Sequence, residues 1–277
     1  MKTKFAIGCL VQWYESEMIS EYVETLKEAI SQYDGDVVVD FRVVTNEDLE
    51  KCISTEQKEK CINNIKSTLE EFDVVFEDRL YTIADYRREF NDRYCDEVDV
   101  LVWGESDMLV PKQMFIILNT LHQMSTTNNP KYLAFFGTCK MWDDSWKCVE
   151  HADMTDKPID NKKWWGTRYQ MSIDEMNNIN DKVDELDVRI VSPHKFNGCG
   201  LVISSEVIKS GVNIPKSVFF THEDSALMYV TNKLLGNIPQ YVIKNILLVH
   251  NREHKNKRNY ILGEYGNTLG ERRKSSS

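Results

Sequence analysis

The stretch Val100-Leu101-Val102-Trp103-Gly104-Glu105-Ser106-Asp107 is the part of this chain that best indicates its fold. Four apolar residues with β-branched members are typical of a buried strand. Two carboxylates follow at once, and an ionised carboxylate is costly to bury unless a cation or a hydrogen-bond donor pairs with it. Side chains two residues apart in an extended chain point to the same side, so Glu105 and Asp107 can converge on one divalent ion. The alternative interpretation is a solvated acidic turn, because an acid-x-acid pair alone is a weak motif.

On both sides of this stretch, apolar runs alternate with helical patterns. Strands are predicted at 5–11, 37–44, 73–77, 100–103, 131–136, 188–191 and 246–249. Helices are predicted at 19–30 (capped by Ser16), 47–72, 83–94, 114–124, 172–186 and 205–210, with another opening at Thr221–Asp224. Such alternation predicts an α/β fold with a Rossmann-like, mostly parallel central sheet flanked by helices. Ligands of these sheets bind at the carboxyl ends of the strands.

Length and composition are those of an ordinary globular protein. The chain has 277 residues, a formal net charge of -10, 42% hydrophobic and 28% charged residues. The negative charge argues against a general nucleic-acid-coating protein. Its 7 cysteines form no Cys-x-x-Cys pair, which favours reduced thiols in a cytoplasmic compartment. We see no apolar run long enough for a transmembrane segment and no signal peptide, so we expect a soluble, cytoplasmic protein.

Two segments have an unusual composition. Residues 137–169 are rich in tryptophan and have poor periodicity, which indicates either a functional loop whose indoles stack on a sugar or base, or a small aromatic core under a loop. From His250 onward, Lys and Arg outnumber Asp and Glu. A basic segment after a strand-end histidine points to an anionic ligand such as a diphosphate, and the alternative is a solvated tail.

Several motifs occur in a characteristic order. Tyr-Glu-Ser follows the first strand, an Arg-rich helix with an Asn precedes the acid-x-acid turn, and a Gly-rich turn, a Glu-Asp pair and a terminal His come after it. This order resembles the GT-A glycosyltransferases, and it is closest in layout to the inverting family 2. The resemblance covers roughly residues 4–254. It implies a single GT-A-type domain at 1–254, with a nucleotide-binding half (1–111), an acceptor-binding half (112–254), a Trp-rich insertion and a basic tail at 255–277.

The resemblance also implies roles for individual residues. The implied donor-binding residues are Gln12, Trp13, Tyr14, Glu15, Asn46, Arg88, Asn91, Glu105, Lys255, Lys257 and Arg258. The implied ligands of Mn²⁺ or Mg²⁺ are Asp107, His250 and Glu105, and Asp107 is the stronger candidate because the family usually has Asp where this chain has Glu105. Asp224 would be the general base that takes the proton of the acceptor hydroxyl, with Glu223 beside it.

The function implied by this resemblance is metal-dependent transfer of a sugar from a nucleotide-diphosphate sugar to an acceptor hydroxyl, with inversion. The acceptor is a glycan or another hydroxyl; a modified base in DNA also fits the Trp-rich segment, although the net charge disfavours it. Two alternatives stay open. A nucleotidyltransferase would typically carry a Gly-rich phosphate loop after the first strand, where this chain has Gln12-Trp13-Tyr14-Glu15. A non-catalytic binding module would use the Trp-rich segment and would need no metal.

Overall fold

The computed structural model describes residues 2–16, 18–45, 54–127, 129–139, 172–191, 198–218 and 222–250. Asn46, nearly all of the Trp-rich segment, Thr221 and the tail with Lys255, Lys257 and Arg258 lie outside the described residues. The predictions made for them remain predictions.

Strands and helices alternate along most of the chain. The strands are β1 (Phe5–Gln12), β2 (Val37–Val44), β3 (Val74–Glu77), β4 (Val100–Trp103), β5 (Leu133–Cys139), β6 (Val188–Val191), β7 (Val202–Ser204) and β8 (Gln240–Val249). The helices are α1 (Ile19–Ser31), α2 (Thr55–Thr68), α3 (Ile83–Tyr94), α4 (Met114–Thr126), α5 (Ile173–Asn180), α6 (Ser205–Lys209) and α7 (Glu223–Leu235), with a short 3₁₀ turn at Trp13–Glu15.

The eight strands of the described residues form one sheet in the order β3-β2-β1-β4-β7-β5-β8-β6. The first four strands in this order are parallel to one another. β7 is antiparallel to both of its neighbours, and β6 is antiparallel to β8 at the edge. β8 is parallel to β5, so all strands except β6 and β7 run in one direction. The predicted α/β class and mostly parallel sheet are confirmed in a single domain.

Helices cover the sheet on both faces, as a doubly wound arrangement requires. Along β1, Phe5 and Ile7 belong to a core cluster that also contains residues of α1 and α4. Ala6 and Leu10 point to the other face, where they belong to a cluster with residues of α3, α6 and α7. This two-sided burial explains why β1 is a continuous apolar run instead of an alternating one.

Several boundaries differ from the sequence predictions, and three of them have a clear structural reason. Ser16 does not cap α1, because a 3₁₀ turn follows β1 and the helix begins at Ile19 with Met18 as its N-cap. α5 ends at Asn180, whose side chain makes both hydrogen bonds to the backbone of Leu247. β8 begins at Gln240, well before the apolar run predicted as the last strand, since it pairs with β5 and β6 along most of its length.

The close approach of α3 to β1 gives a prediction about stability. A Cβ atom added to Gly8 would lie 2.5 Å from the Tyr86 hydroxyl and 2.6 Å from the Phe90 ring. We expect Gly8→Ala to lower the free energy of unfolding by about 1–3 kcal/mol, the usual cost of overpacking a core. Urea denaturation measures this loss. Glu59→Ala, on the exposed surface of α2, is the control and should change stability by less than about 0.5 kcal/mol. Equal stabilities of the two variants would contradict the packing argument.

Candidate active site

The acidic turn begins where β4 ends. Gly104 donates its N–H to the carbonyl of Gly8 at 2.7 Å, and a side chain at Gly104 would collide with the Tyr22 hydroxyl. The N–H of Met108 closes the turn on the carbonyl of Glu105 at 3.0 Å. Leu109 then forms an antiparallel bridge with Val249, the last residue of β8. This bridge brings the two carboxylates next to the residue that follows β8.

That residue is His250, and it contacts the acidic turn directly. Its Nε2 atom lies 2.5 Å from Oε2 of Glu105 and 3.9 Å from Oδ1 of Asp107. His250 and Asp107 are buried, whereas Glu105 keeps part of its surface exposed. The structure therefore brings together the residues predicted as metal ligands, although they lie on two segments far apart in the sequence.

Arg87, a residue of α3, holds the other side of Glu105. One terminal nitrogen of the guanidinium donates to Oε1 of Glu105 at 2.6 Å and to the carbonyl of Gly198 at 3.3 Å. The other terminal nitrogen donates to Oε1 of Glu223. The guanidinium lies over the Trp103 ring, 4.7 Å from its centroid, and is buried. A single cation thus joins the acidic turn to the Glu-Asp pair.

These contacts determine the pKa of Glu105. Burial alone would raise it, but the charges and hydrogen bonds of His250 and Arg87 outweigh burial and hold the pKa of Glu105 well below its usual range. Glu223 differs: burial is the largest effect, and the nearby acids Asp224 and Glu105 add to it, so the pKa of Glu223 is raised in spite of Arg87. Glu105 therefore stays ionised over a wider range of pH than Glu223.

Asp224 is placed differently from its neighbour. Glu223 is buried and paired with Arg87, whereas Asp224 is partly exposed at the beginning of α7. Its Oδ1 accepts the N–H of Ser225 at 2.5 Å, as carboxylates at helix N-termini commonly accept backbone donors. His222, which precedes the pair, has φ +66, a left-handed conformation that side-chain-bearing residues seldom adopt. Strained residues of this kind cluster at functional sites.

The turn predicted to hold the nucleotide base lies beside the acidic turn. Oε2 of Glu15 accepts the backbone N–H of Gln12 at 2.9 Å and the hydroxyl of Ser106 at 2.8 Å. Trp13 is fully buried with Lys58 over its ring at 5.7 Å, whereas Tyr14 remains partly exposed. The residues of this turn that have surface available for a ligand are therefore Gln12, Tyr14 and Glu15. Trp13 is buried beneath the turn.

Two predicted donor-binding residues of α3 have other partners. The guanidinium of Arg88 donates to Asp85 and to the carbonyls of Ile214, Pro215 and Val218. Asn91 is fully buried, where its amide accepts from the Trp103 indole at 2.9 Å and donates to Asn213 at 2.9 Å. This arrangement does not support direct contact of either side chain with a nucleotide; in the described structure they brace loop 213–218 and β4.

Arg87 is not among the site residues that the resemblance implies, which include its neighbour Arg88 of the same residue type. The signal was present in the helical periodicity. Ile83, Arg87, Phe90 and Tyr94 fall on one stripe of α3, so Arg87 occupies a position where an apolar residue would normally face the core. A charge on such a stripe indicates a buried ion pair or a site.

The candidate metal ligands are compatible with one ion. Ligand atoms from Glu105, Cys199 and His250 all lie within 4.8 Å of one another. Donor atoms around one small divalent ion lie roughly 3–4 Å apart, so small side-chain rotations suffice to bring these atoms together. Asp107 adds a second carboxylate near His250. The carboxylate oxygens and the imidazole nitrogen among these donors suit Mn²⁺, and the carboxylate oxygens also suit Mg²⁺.

Known proteins resemble this chain in structure and not in sequence. No family model matches the chain, and no curated protein matches its sequence. Among solved structures, S. aureus TarS 1-349 is similar with a TM-score of 0.51 and 12% identity, over 95% of this chain and 70% of that chain. The TarS complex with UDP-GlcNAc gives 0.51 and 12% over 92% of this chain and 60% of that chain. The mannosyltransferase PcManGT from Pyrobaculum calidifontis, in complex with GDP-Man and Mn²⁺, gives 0.51 and 11% over 92% and 58%.

This chain has a GT-A-like glycosyltransferase fold. The expected resemblance in fold is confirmed, and this chain spans between 58% and 70% of the length of these structures. At this level of identity the likeness establishes the fold alone. Within the described part of the chain, no helix is long and apolar enough to cross a membrane.

The buried Arg87 pairs lead to a prediction about stability. Arg87→Met would leave Glu105 and Glu223 without their shared cation, and we expect the free energy of unfolding to fall by about 3–5 kcal/mol, the usual cost of breaking a buried ion pair. Adding Glu223→Gln should restore part of this loss, because one uncompensated carboxylate is removed. Urea denaturation of the single and double variants measures both effects.

The control for this experiment is Arg79→Met. Arg79 is exposed and pairs with Glu77 and Glu89, so its loss should cost less than about 1 kcal/mol. Similar costs for Arg79→Met and Arg87→Met would show that the buried cation is not a special constraint.

Proposed function

We propose that this protein is a metal-dependent glycosyltransferase, which moves a sugar from a nucleotide-diphosphate sugar to an acceptor hydroxyl with inversion. The observation that carries this proposal is that Glu105, Asp107, His250 and the Glu223-Asp224 pair converge at the carboxyl ends of β4 and β8. The printed ligands of the similar structures, UDP-GlcNAc and GDP-Man, support a nucleotide-sugar donor. The fold by itself does not specify the sugar, the base or the acceptor.

The donor half of the site is proposed at the carboxyl ends of β1 and β4. Gln12, Tyr14 and Glu15 would contact the nucleoside, because they keep exposed surface next to the acidic turn. The shared hydrogen bonds of Glu15 fix the distance between this turn and Ser106. A nucleotide spanning both turns would therefore meet a preorganised surface, which reduces the ordering cost of binding. Asn46, Lys255, Lys257 and Arg258 remain proposed contacts of the nucleoside and diphosphate.

Asp107, His250 and Glu105 are the proposed ligands of Mn²⁺ or Mg²⁺. A bound divalent ion would neutralise the diphosphate and make it a better leaving group. Arg87 and His250 hold the pKa of Glu105 low, so its carboxylate is ionised. An ion bound by both Glu105 and His250 would replace the direct contact between Nε2 of His250 and Oε2 of Glu105. The ion in the PcManGT complex is Mn²⁺, and the imidazole of His250 is more compatible with Mn²⁺ than with Mg²⁺.

Asp224 is the proposed general base. It is partly exposed, whereas Glu223 has its carboxylate directed to Arg87. Asp224 would accept the proton of the acceptor hydroxyl as that oxygen attacks the anomeric carbon. One displacement of this kind inverts the configuration. Glu223 acts in this proposal by holding the beginning of α7 against the acidic turn through Arg87.

Donor binding can be measured by thermal shift with a panel of nucleoside diphosphates and nucleotide sugars, each with and without Mn²⁺. We expect the nucleotides of one base type to raise Tm by roughly 5–10 °C at about 100 times their Kd, and only when metal is present. Asp107→Asn should lose the metal-dependent part of the shift. Asp96→Asn, an exposed carboxylate after α3, is the control and should keep it. A panel in which no nucleotide shifts Tm would contradict the proposed function.

The catalytic role of Asp224 can be tested with Asp224→Asn. Because the amide cannot accept the proton, we expect kcat for donor hydrolysis or transfer to fall about 10²–10⁴-fold. Donor affinity and Tm should stay close to those of the wild type. Glu206→Gln, which changes a partly exposed acid at the start of α6, should leave kcat unchanged. Full activity of Asp224→Asn would exclude Asp224 as the base.

A further inference from the structure

A cysteine lies within the proposed metal site. Cys199 is buried, and its Sγ atom lies within 4.8 Å of a ligand atom of Glu105 and of His250. The neighbouring glycines mark a Gly-rich turn in the sequence, whereas no motif predicts a role for this thiol. The three residues Glu105, Cys199 and His250 are called the thiol–acid cluster below.

The backbone on both sides of Cys199 is fixed. Gly200 has φ +70 and donates its N–H to the carbonyl of Trp103 at 2.8 Å. The carbonyl of Gly198 accepts from Arg87, and a side chain at Gly198 would collide with the Arg87 guanidinium. The turn is therefore tied to the end of β4 and to the cation that holds Glu105. These constraints keep the thiol beside the acidic turn.

The histidine of the cluster also has an incomplete set of contacts. Nδ1 of His250 is buried and has no hydrogen-bond partner among the described residues. Buried polar atoms in native proteins are normally paired. This ring lacks a partner at Nδ1, whereas Nε2, which lies 2.5 Å from Oε2 of Glu105, is the nitrogen that faces the cluster. A thiol alone in a core behaves as a small apolar group. Here it lies beside a carboxylate and an imidazole, which is a donor set that zinc-type ions use.

We propose that Sγ of Cys199 is a ligand of the ion, so that the site binds thiophilic divalent cations such as Zn²⁺ and Co²⁺ with a sulfur–metal bond. This inference rests on the metal site of the proposed function and adds a ligand to it. On binding, the S–H bond breaks, its proton leaves to solvent, and the sulfur–metal bond forms with no change of oxidation state. Oxygen-selective Mg²⁺ gains little from the sulfur, whereas Zn²⁺ and Co²⁺ gain substantially.

The test uses Co²⁺, whose spectrum reports its ligands. Titration of the wild-type protein with Co²⁺ should produce a thiolate-to-metal charge-transfer band in the near ultraviolet that saturates at one equivalent. Cys199→Ser should lose this band. It should also lower Zn²⁺ affinity, measured by competition, by at least about 10-fold, a loss that even supporting residues of metal sites give. Mg²⁺ affinity should change much less.

The matched control is Cys95→Ser. Cys95 is also a buried thiol, but it caps α3 and belongs to the core cluster on the other face of the sheet. This variant should keep the charge-transfer band. A band of equal intensity in wild type and Cys199→Ser would overturn the inference, since another cysteine would then be the source.

X-ray absorption of the wild-type protein loaded with Zn²⁺ makes the test independent of whether Cys199→Ser folds. A sulfur shell at about 2.3 Å supports the inference, and a shell of oxygen and nitrogen at about 2.0–2.1 Å alone overturns it. That second result leaves metal-dependent glycosyl transfer intact, because Asp107, His250 and Glu105 would hold the ion without sulfur. The nucleotide thermal shift tests that function separately.

Discussion

The buried guanidinium of Arg87 is the interaction on which the site depends. This one group contacts Glu105, Glu223 and the Gly198 turn at once. These three partners lie on different parts of the chain. Two carboxylates and one backbone carbonyl therefore face the same guanidinium. Without a cation there, the two carboxylates would repel each other in a poorly solvated space. The charge therefore does what an apolar contact could not: it sets both the distance and the orientation of the acids.

Much of the fold could be predicted from the sequence, because apolar runs and helical periodicity are local signals. β1, β4 and α3 lie within one residue of their predicted bounds. The neighbourhood of the acidic turn and His250 was also predictable, since parallel strands end at one edge of the sheet. These predictions needed only residue order and the general geometry of α/β sheets.

The remaining features depend on tertiary contacts that no local pattern encodes. The apolar stripe of α3 indicates that Arg87 is buried, but its partners Glu105 and Glu223 lie on other segments of the chain. Likewise, nothing local indicates that Asn91 accepts a hydrogen bond from the Trp103 indole. The role of Gly198 becomes visible only once the guanidinium of Arg87 is in place. β7 runs against its neighbours and separates β4 from β5, an arrangement that its three residues could not reveal.

The strand order has a consequence for the sequence of events during synthesis. β1 to β4 are consecutive in the chain and occupy one half of the sheet, so all strand pairs within this half can form before β5 is synthesised. His250 follows β8, which pairs with β5 and reaches the acidic turn only through the bridge at Leu109. The candidate ligand set is therefore completed by the last described strand to leave the ribosome. If the proposed site binds a metal, metal affinity would report on complete assembly of the sheet. A chain arrested before β8 would contain Glu105 and Asp107 but would lack His250.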